Sequence, residues 1–440
     1  MKRFVDEELN NWKNEKLRRP LLLRGARQVG KTFSVRKFGK KFESFVEINL
    51  EIRPDIKIIF EKDFDIQRIL RNLSLISGKQ IFPGKTLLFI DEIQASPAAI
   101  TSLRYFYENL PDLHVIAAGS LLDFAIENIG IPVGRVESLY MYPMSFIEFL
   151  LAMGHDLLVQ EILKYQLGEQ ISQAVHNKIL SILGEYLAIG GMPGVVECWR
   201  DTKNPARCFS LQNSLIDTYR QDFSKYAKKF QIKYVDTIFN NIPAQIGKKF
   251  KYSVIDGDYR KRELAPALDL LITAGIAHKI ISSHGQGLPL GAHVNFDAYK
   301  IIFLDVALCQ VILGLDLEKW FLNPEQQFVN RGELLESFIG QEILAYSNFH
   351  TKKSLYYWQK NSQSSTAEVD YLVQVGEKII PVEVKSGAGS TLKSLHMFLR
   401  DHTQSPYGIR FSTQNYSKFE NIESWPLYAV AAALKFNKQI

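Results

Sequence analysis

Eight residues near the amino end, Gly25-Ala26-Arg27-Gln28-Val29-Gly30-Lys31-Thr32, fit the pattern G-x-x-x-x-G-K-[ST]. Glycines at these spacings let the backbone curl until successive N–H groups aim at phosphate oxygens, and a helix starting where the curl ends adds its dipole. A lysine at position 31 reaches the β- and γ-phosphates of a nucleoside triphosphate, and the Thr32 hydroxyl suits Mg²⁺. Phe33 opens the helical pattern that follows, so residues 25–33 form the candidate nucleotide-binding set. ATP and Mg²⁺ are the expected ligands. The plain alternative is a glycine-rich turn that holds nothing, but a strand pattern before it and a helix pattern after it are where a phosphate loop needs them.

A second set lies downstream. Thr86-Leu-Leu-Phe-Ile90 is an apolar run that ends in Asp91-Glu92. Ligands of parallel sheets sit at the carboxyl ends of strands, which brings Asp91 beside the phosphate loop, suited to Mg²⁺ directly or through water. Glu92 is the candidate to orient or deprotonate an attacking water. The competing reading is that the acids cap the next helix. Ser120, after the run Val115–Ala118, can touch the γ-phosphate or cap a helix. Arg135 can supply a cation for transition-state charge, although a lone arginine is more often a surface residue.

A third set is near the carboxyl end. If Gly376-Glu377 is a two-residue type II′ hairpin turn, Val375 pairs with Lys378 and Asp370 falls opposite Glu383. Opposed residues share a face about 4.5–5.5 Å apart, and Lys385 joins them two residues on. Two carboxylates so placed repel unless a cation lies between them. Asp370 and Glu383 as metal ligands, with Lys385 near a scissile phosphate, is the pattern a Mg²⁺-dependent nuclease requires. A hairpin with solvated charges is the alternative.

The elements that must position these residues follow from periodicity. The chain of 440 residues is 46% hydrophobic and 23% charged with a formal charge of +6, ordinary values that neither demand nor exclude a nucleic-acid partner. Cys198, Cys208 and Cys309 lack CxxC spacing and read as unpaired thiols. No apolar run approaches membrane-spanning length and the first twelve residues are no secretory signal, so a cytoplasmic protein without membrane contact is expected. Apolar runs at Pro20–Leu23, Phe45–Asn49, Thr86–Ile90, Leu113–Ala118 and Glu137–Met141 alternate with helical patterns. That is an α/β domain with a mostly parallel sheet, here residues 1–155. Helical periodicity, broken at Gly190-Gly191-Met192-Pro193, marks 156–230 as a helical lid or linker. Residues 231–322 read as a winged-helix-like domain with strands at Ala277–Ser282 and Lys300–Leu304. A linker near Asn323–Gly332 leads to an α/β domain, 323–440, with a helix at Glu333–Ser347 and a polar loop at Asn361–Thr366.

The phosphate loop in the form Arg24–Thr32, with Asp91-Glu-Ile-Gln94, Gly119-Ser120, Gly134-Arg135, Tyr142-Pro-Met-Ser-Phe146 and Gly190-Gly-Met-Pro193, resembles a large prokaryotic family of AAA-like ATPases. Their C-terminal domain of unknown function is similar to PD-(D/E)xK nucleases, of restriction-endonuclease-like fold. The Gly-x-Pro element is similar to that of the signal-transducing branch of AAA-type ATPases. The resemblance implies ATP binding, a catalytic role for Glu92, and a helical acid that joins the C-terminal metal ligands. Glu336 matches that position, while periodicity gives Glu342 a rival claim.

Lys225, Lys228, Lys229, Lys233, Lys248, Lys249 and Lys251 interleave with aromatic residues and form a candidate DNA- or RNA-contacting patch, or else a solvated face over a buried aromatic stripe. A homo-oligomer is compatible with this organisation. Two functions emerge: a Mg²⁺-dependent ATPase coupling nucleotide state to a nuclease-like domain, or a nucleotide-gated switch whose nuclease-like domain is an inactive scaffold. The complete set Lys31, Thr32, Asp91 and Glu92 argues against a DNA-binding regulator that performs no chemistry.

Overall fold

A computed structural model describes residues 1–130, 134–165, 170–360, 367–386 and 391–435. The polar loop expected at Asn361–Thr366 lies outside them. Five strands, β1 (Leu21–Arg24), β2 (Ser44–Asn49), β3 (Thr86–Asp91), β4 (His114–Ala118) and β5 (Glu137–Tyr140), form one sheet in the order β2-β3-β4-β1-β5. Every pairing in it is parallel. The strands are continuously apolar because both faces are covered. Leu21, Leu23, Leu87 and Phe89 belong to one buried cluster, and their neighbours Leu22, Leu88 and Ile90 belong to another on the opposite face.

Register decides what meets at the sheet's edge. Leu23 pairs with Ala118, Ala118 with Asp91, and Asp91 with Asn49. The residues that follow β1, β3 and β4 therefore emerge together at the carboxyl end, the place where such sheets hold ligands.

Between the two sheets the chain is helical at Asp156–Lys164, Gln173–Ile189, Pro193–Thr202 and Pro205–Tyr226. The helix after β5 starts at Phe146. There Ser145 and Glu148 form a reciprocal capping box that satisfies the first free N–H groups. The segment expected as a linker is helical over Pro324–Asn330, with Pro324 at the first position, where its missing N–H costs nothing.

Eight further strands make a second sheet: β6 (Ala277–Ser283), β7 (Val294–Phe303), β8 (Leu355–Gln359), β9 (Glu368–Val375), β10 (Lys378–Val384), β11 (Gly408–Ser412), β12 (Ser417–Phe419) and β13 (Ile422–Pro426). Their order is β12-β13-β11-β10-β9-β8-β6-β7. The β6–β7 hairpin, whose strands were expected within a winged-helix-like domain, is hydrogen-bonded through β6 to β8 in this same sheet. The helix Gly332–Ala345 packs on β7 and β10. Its apolar side continues the core of the N-terminal sheet without a break, since Leu23, Ile189, Phe303, Phe338 and Tyr371 all belong to one buried cluster. Among the described residues no helix is long and apolar enough to cross a membrane.

Candidate functional site

Positive φ angles at Gly25 (138°), Gln28 (61°) and Gly30 (100°) turn the loop after β1 into a cradle. A Cβ on Gly25 would overlap the Met141 carbonyl oxygen, so only glycine fits where β5 ends against the loop. Lys31 is buried, and its Nζ donates to the carbonyls of Gly25 (2.9 Å) and Ala26 (2.8 Å). Burial pulls its ammonium down to about 8, against the opposite pull of Glu92 and Asp91. Thr32 Oγ1 donates to Asp91 Oδ2 at 3.1 Å, and Asn49 Nδ2 donates to the same oxygen at 3.3 Å. Burial, and then the neighbouring Glu92, push the Asp91 carboxyl above its ordinary range. Two groups that want opposite ionisation shifts thus face one space, as a site built for phosphate and a cation would have them.

Glu92 sits at φ 52°, a left-handed conformation uncommon for a side chain of its size, and its Oε2 accepts from Gln94 Nε2 at 2.6 Å. Gln94 leans on Gly119, where a Cβ would overlap Gln94 Oε1. Gln94 Oε1 and Ser120 Oγ are both buried without a hydrogen-bond partner among the described residues. Each follows the carboxyl end of one of two paired strands, β3 and β4, at the edge where a γ-phosphate would lie. A cavity bounded by Gly25, Ala26, Gly119, Ser120, Asp123, Tyr142 and Gly275 adjoins the cradle. Phe33 is 49% exposed on the outer face of its helix.

Several residues around the cradle carried no signal in the linear motif. Arg3 donates from Nη1 to the Val29 carbonyl at 2.8 Å and from Nε to Glu148 at 2.9 Å. Arg27 Nη1 is gripped by both carboxylate oxygens of Asp222 (2.6 and 2.7 Å), and Tyr219 donates to the Arg27 carbonyl at 2.8 Å. Pro193 stands against Gly30. Arg135 departs from expectation. It precedes Glu137, which pairs with Leu21 at the amino end of the sheet, and its guanidinium bonds Glu108 at 3.0 Å. It belongs to the opposite edge and does not reach the cradle.

Residues 17–150 match the family model described as an AAA domain. This part of the chain is similar to AAA domains, and its P-loop stands in the parallel sheet just described. Residues 180–319 and 331–430 match two families described as domains of unknown function, DUF8612 and DUF4143. No curated protein matches the chain. Among solved structures, a Walker-type ATPase of Pyrococcus abyssi is 16% identical with a TM-score of 0.44, covering 70% of this chain and 95% of its own. The Thermotoga maritima RuvB Holliday junction branch migration motor is 12% identical with a TM-score of 0.29, covering 66% and 91%. The Aeropyrum pernix Orc1 protein, solved in complex with DNA, is 12% identical with a TM-score of 0.26, covering 73% and 92%.

At the other end of the molecule, Val375 pairs with Lys378 and the register runs outward as far as Tyr371 with Val382. Gly376 has φ 62° and Glu377 does not turn positive, as a type II′ turn requires. The side chains on this face are nevertheless not free to converge on a metal. Glu336 Oε1 accepts from Lys300 Nζ at 2.8 Å, Glu368 Oε1 does so at 2.5 Å, and Asp370 Oδ1 is 3.7 Å from the same ammonium. Asp370 Oδ2 accepts from the Val384 N–H at 2.8 Å, and Glu383 Oε1 pairs with Lys385 at 2.6 Å. Among the described residues no group of three or more His, Cys, Asp or Glu side chains is arranged to hold a metal ion. Glu336, Asp370 and Glu383 thus stand in one cluster, in which Lys300 and Lys385 are the cations that the carboxylates meet. The rival Glu342 is buried elsewhere and accepts from the Phe146 N–H at 2.9 Å, capping a helix of the N-terminal domain. Burial pushes its carboxyl up to about 8.

The basic segment divides in two. Lys225 pairs with Glu51 at 2.8 Å, and Tyr226, Phe250 and Tyr252 pack inward, Tyr252 sharing a 2.9 Å hydrogen bond with Tyr299. Lys228, Lys229, Lys233, Lys248, Lys249 and Lys251 remain exposed.

Proposed function

We propose that this chain is a Mg²⁺-dependent ATPase whose nucleotide state is passed to a nuclease-like C-terminal domain. The observation that carries the reading is the Thr32–Asp91 contact of 3.1 Å beside the buried Lys31, with Glu92 on the next residue. A hydroxyl and a carboxylate so placed fit Mg²⁺, which when bound supplies positive charge against the developing negative charge of phosphoryl transfer. The curled backbone N–H groups and Lys31 bind and orient the phosphates. Glu92, held by Gln94, positions the attacking water and takes its proton. Ser120 donates to the γ-phosphate or that water with the hydroxyl left unpaired inside the protein.

Transmission is supported by what touches the loop. Arg27 is fixed by Asp222 and Tyr219 of the long helix Pro205–Tyr226, and Gly30 lies against Pro193. An alternative, a tight nucleotide-gated switch with an inert C-terminal domain, is favoured by the closed carboxylate cluster around Lys300. Exposed lysines at 228, 229, 248, 249 and 251 are the candidate contact to DNA or RNA.

The test is ATP turnover of the purified protein with and without nucleic acid. Lys31→Ala should lose both binding and turnover. Glu92→Gln should bind ATP and lose turnover by about 10²-fold or more. Unchanged turnover in either variant would remove these roles.

A further inference from the structure

Lys300 lies inside β7, in the run Tyr299-Lys300-Ile-Ile-Phe303, and its side chain is only 1% exposed. A lysine is almost never buried so completely without partners, because desolvating the ammonium costs several kcal/mol, about as much as a whole domain can spare. Here the partners are three carboxylates from two other elements. Glu336 comes from the helix Gly332–Ala345, while Glu368 and Asp370 come from β9. The ammonium crosses above Tyr357 of β8, 5.4 Å from its ring centre, to reach them. Attraction to Glu336 leads the effects that hold its proton on against burial.

The position is the telling part. A divalent ion shared by the helical acid and the hairpin acids would have to stand between Glu336 and Asp370, and Lys300 Nζ already stands there. We propose that Lys300 is the resident cation of this cluster, supplied in place of a metal by the preceding β6–β7 hairpin, so that the C-terminal domain is complete without a divalent ion.

Charge is consistent with that assignment. Glu336, Glu368, Asp370 and Glu383 face two ammoniums, Lys300 and Lys385. Of the two negative charges left, Glu368 is 29% exposed and meets water, and Glu383 Oε2, buried without a hydrogen-bond partner among the described residues, is the place for a proton. The geometry also explains why the hairpin is built into the second sheet. A cation delivered from β7 fixes β6–β7 against the strands that follow, joining two stretches of sequence that the linker would otherwise leave independent.

This inference deepens the reading of the C-terminal domain as nuclease-like but does not depend on ATP hydrolysis, and it is tested on nucleotide-free protein. Mn²⁺ titration followed by electron paramagnetic resonance should reveal no site in the full chain that disappears in Asp370→Asn, and melting should be the same in 5 mM Mg²⁺ (about) as in chelator. Lys300→Met should melt roughly 10 °C lower in chelator, as expected for leaving buried carboxylates unpaired, and should recover in Mn²⁺ or Ca²⁺. Lys300→Arg should stay near the parent. A Mn²⁺ site in the parent that Asp370→Asn abolishes would overturn the proposal, as would a Lys300→Met protein as stable as the parent in chelator. If Lys300→Met does not fold, the parent's Mn²⁺ titration still decides. Loss of ATP turnover with these results unchanged would fault the ATPase reading alone.

Discussion

Gly119→Ala isolates the part played by Gln94. Gly119 is not among the glycines with positive φ, so alanine is tolerated by the backbone and any effect comes from its methyl group. That methyl would overlap Gln94 Oε1 and stand 3.0 Å from Gln94 Cδ. Non-bonded contacts to carbon prefer about 3.5–4.0 Å, and Oε1 is the closer of the two atoms, so the amide must retreat by about 1 Å or more. Its 2.6 Å bond to Glu92 then breaks or draws Glu92 along. A hydrogen bond to a charged group contributes about 1.5–3 kcal/mol, equivalent to roughly 10–150-fold in rate, and a misplacement near 1 Å in a reacting group costs about 10²-fold. The two estimates agree. We expect kcat for ATP to fall between about 10- and 100-fold while nucleotide affinity, measured with a fluorescent analogue, stays within about 3-fold. Gln94→Ala should do the same, and the double variant should be no slower than Gln94→Ala alone, because both changes remove one bond. Parental or faster turnover in Gly119→Ala, or a further drop in the double variant, would refute the positioning role.

Asp305→Ala leaves the N–H groups of Gly191, Ala307 and Leu308 without their buried acceptor, and should cost about 3–5 kcal/mol in urea unfolding; a loss under about 1 kcal/mol would sink the argument. For Glu342 burial raises the folded carboxyl to about 8 from the ordinary glutamate value of about 4.5, so its part of the stability is complete below about 4.5 and is lost as pH rises through about 8. Glu342→Gln should flatten the decline across that window, where the slope approaches about 1.4 kcal/mol per pH unit; equal slopes for parent and variant would contradict it. Replacing Lys228 and Lys229 with Gln should weaken duplex DNA binding and lower the salt slope by about 1.8, and an unchanged slope would clear both residues of phosphate contact.

The cradle and its strand-end acids were legible in the sequence because local spacing dictates them. A phosphate loop needs its glycines, lysine and threonine on one turn, and Asp91-Glu92 ends a strand that can only be central. The hairpin register was legible for the same reason, since the turn at Gly376 fixes every pair outward from it. Arg135 stands two residues before the run Glu137–Met141, which in a parallel sheet is the amino end, away from the cradle. Lys300 was invisible because its partners lie 36, 68 and 70 residues away. The one available sign was a lysine opening the apolar run Ile301-Ile302-Phe303, which reads equally well as an exposed strand end. Gln94 could have been found from its spacing to Glu92, but only the overlap with Gly119 gives it a reason to point there.

A short chain of contacts joins the two sites. Pro193 touches Gly30 of the cradle, and Gly191, two residues earlier, donates its N–H to Asp305 at 2.7 Å. Asp305 follows the end of β7, and Lys300 lies five residues back along it, roughly 17 Å at the rise of an extended chain. The Gly-Gly-Met-Pro segment therefore lies between the cradle and the strand that carries the cluster's cation. Contiguity of this kind becomes coupling only if an element on the path has two arrangements that the nucleotide biases. The Gly190-Gly191 turn is the candidate, because it is held by one carboxylate on one side and by the Met144 N–H, at 2.7 Å from the Gly191 carbonyl, on the other. The Gly190 N–H adds a third bond, to the Tyr186 carbonyl at 2.7 Å, so a second arrangement of this turn would have to exchange bonds to Tyr186, Met144 and Asp305 together.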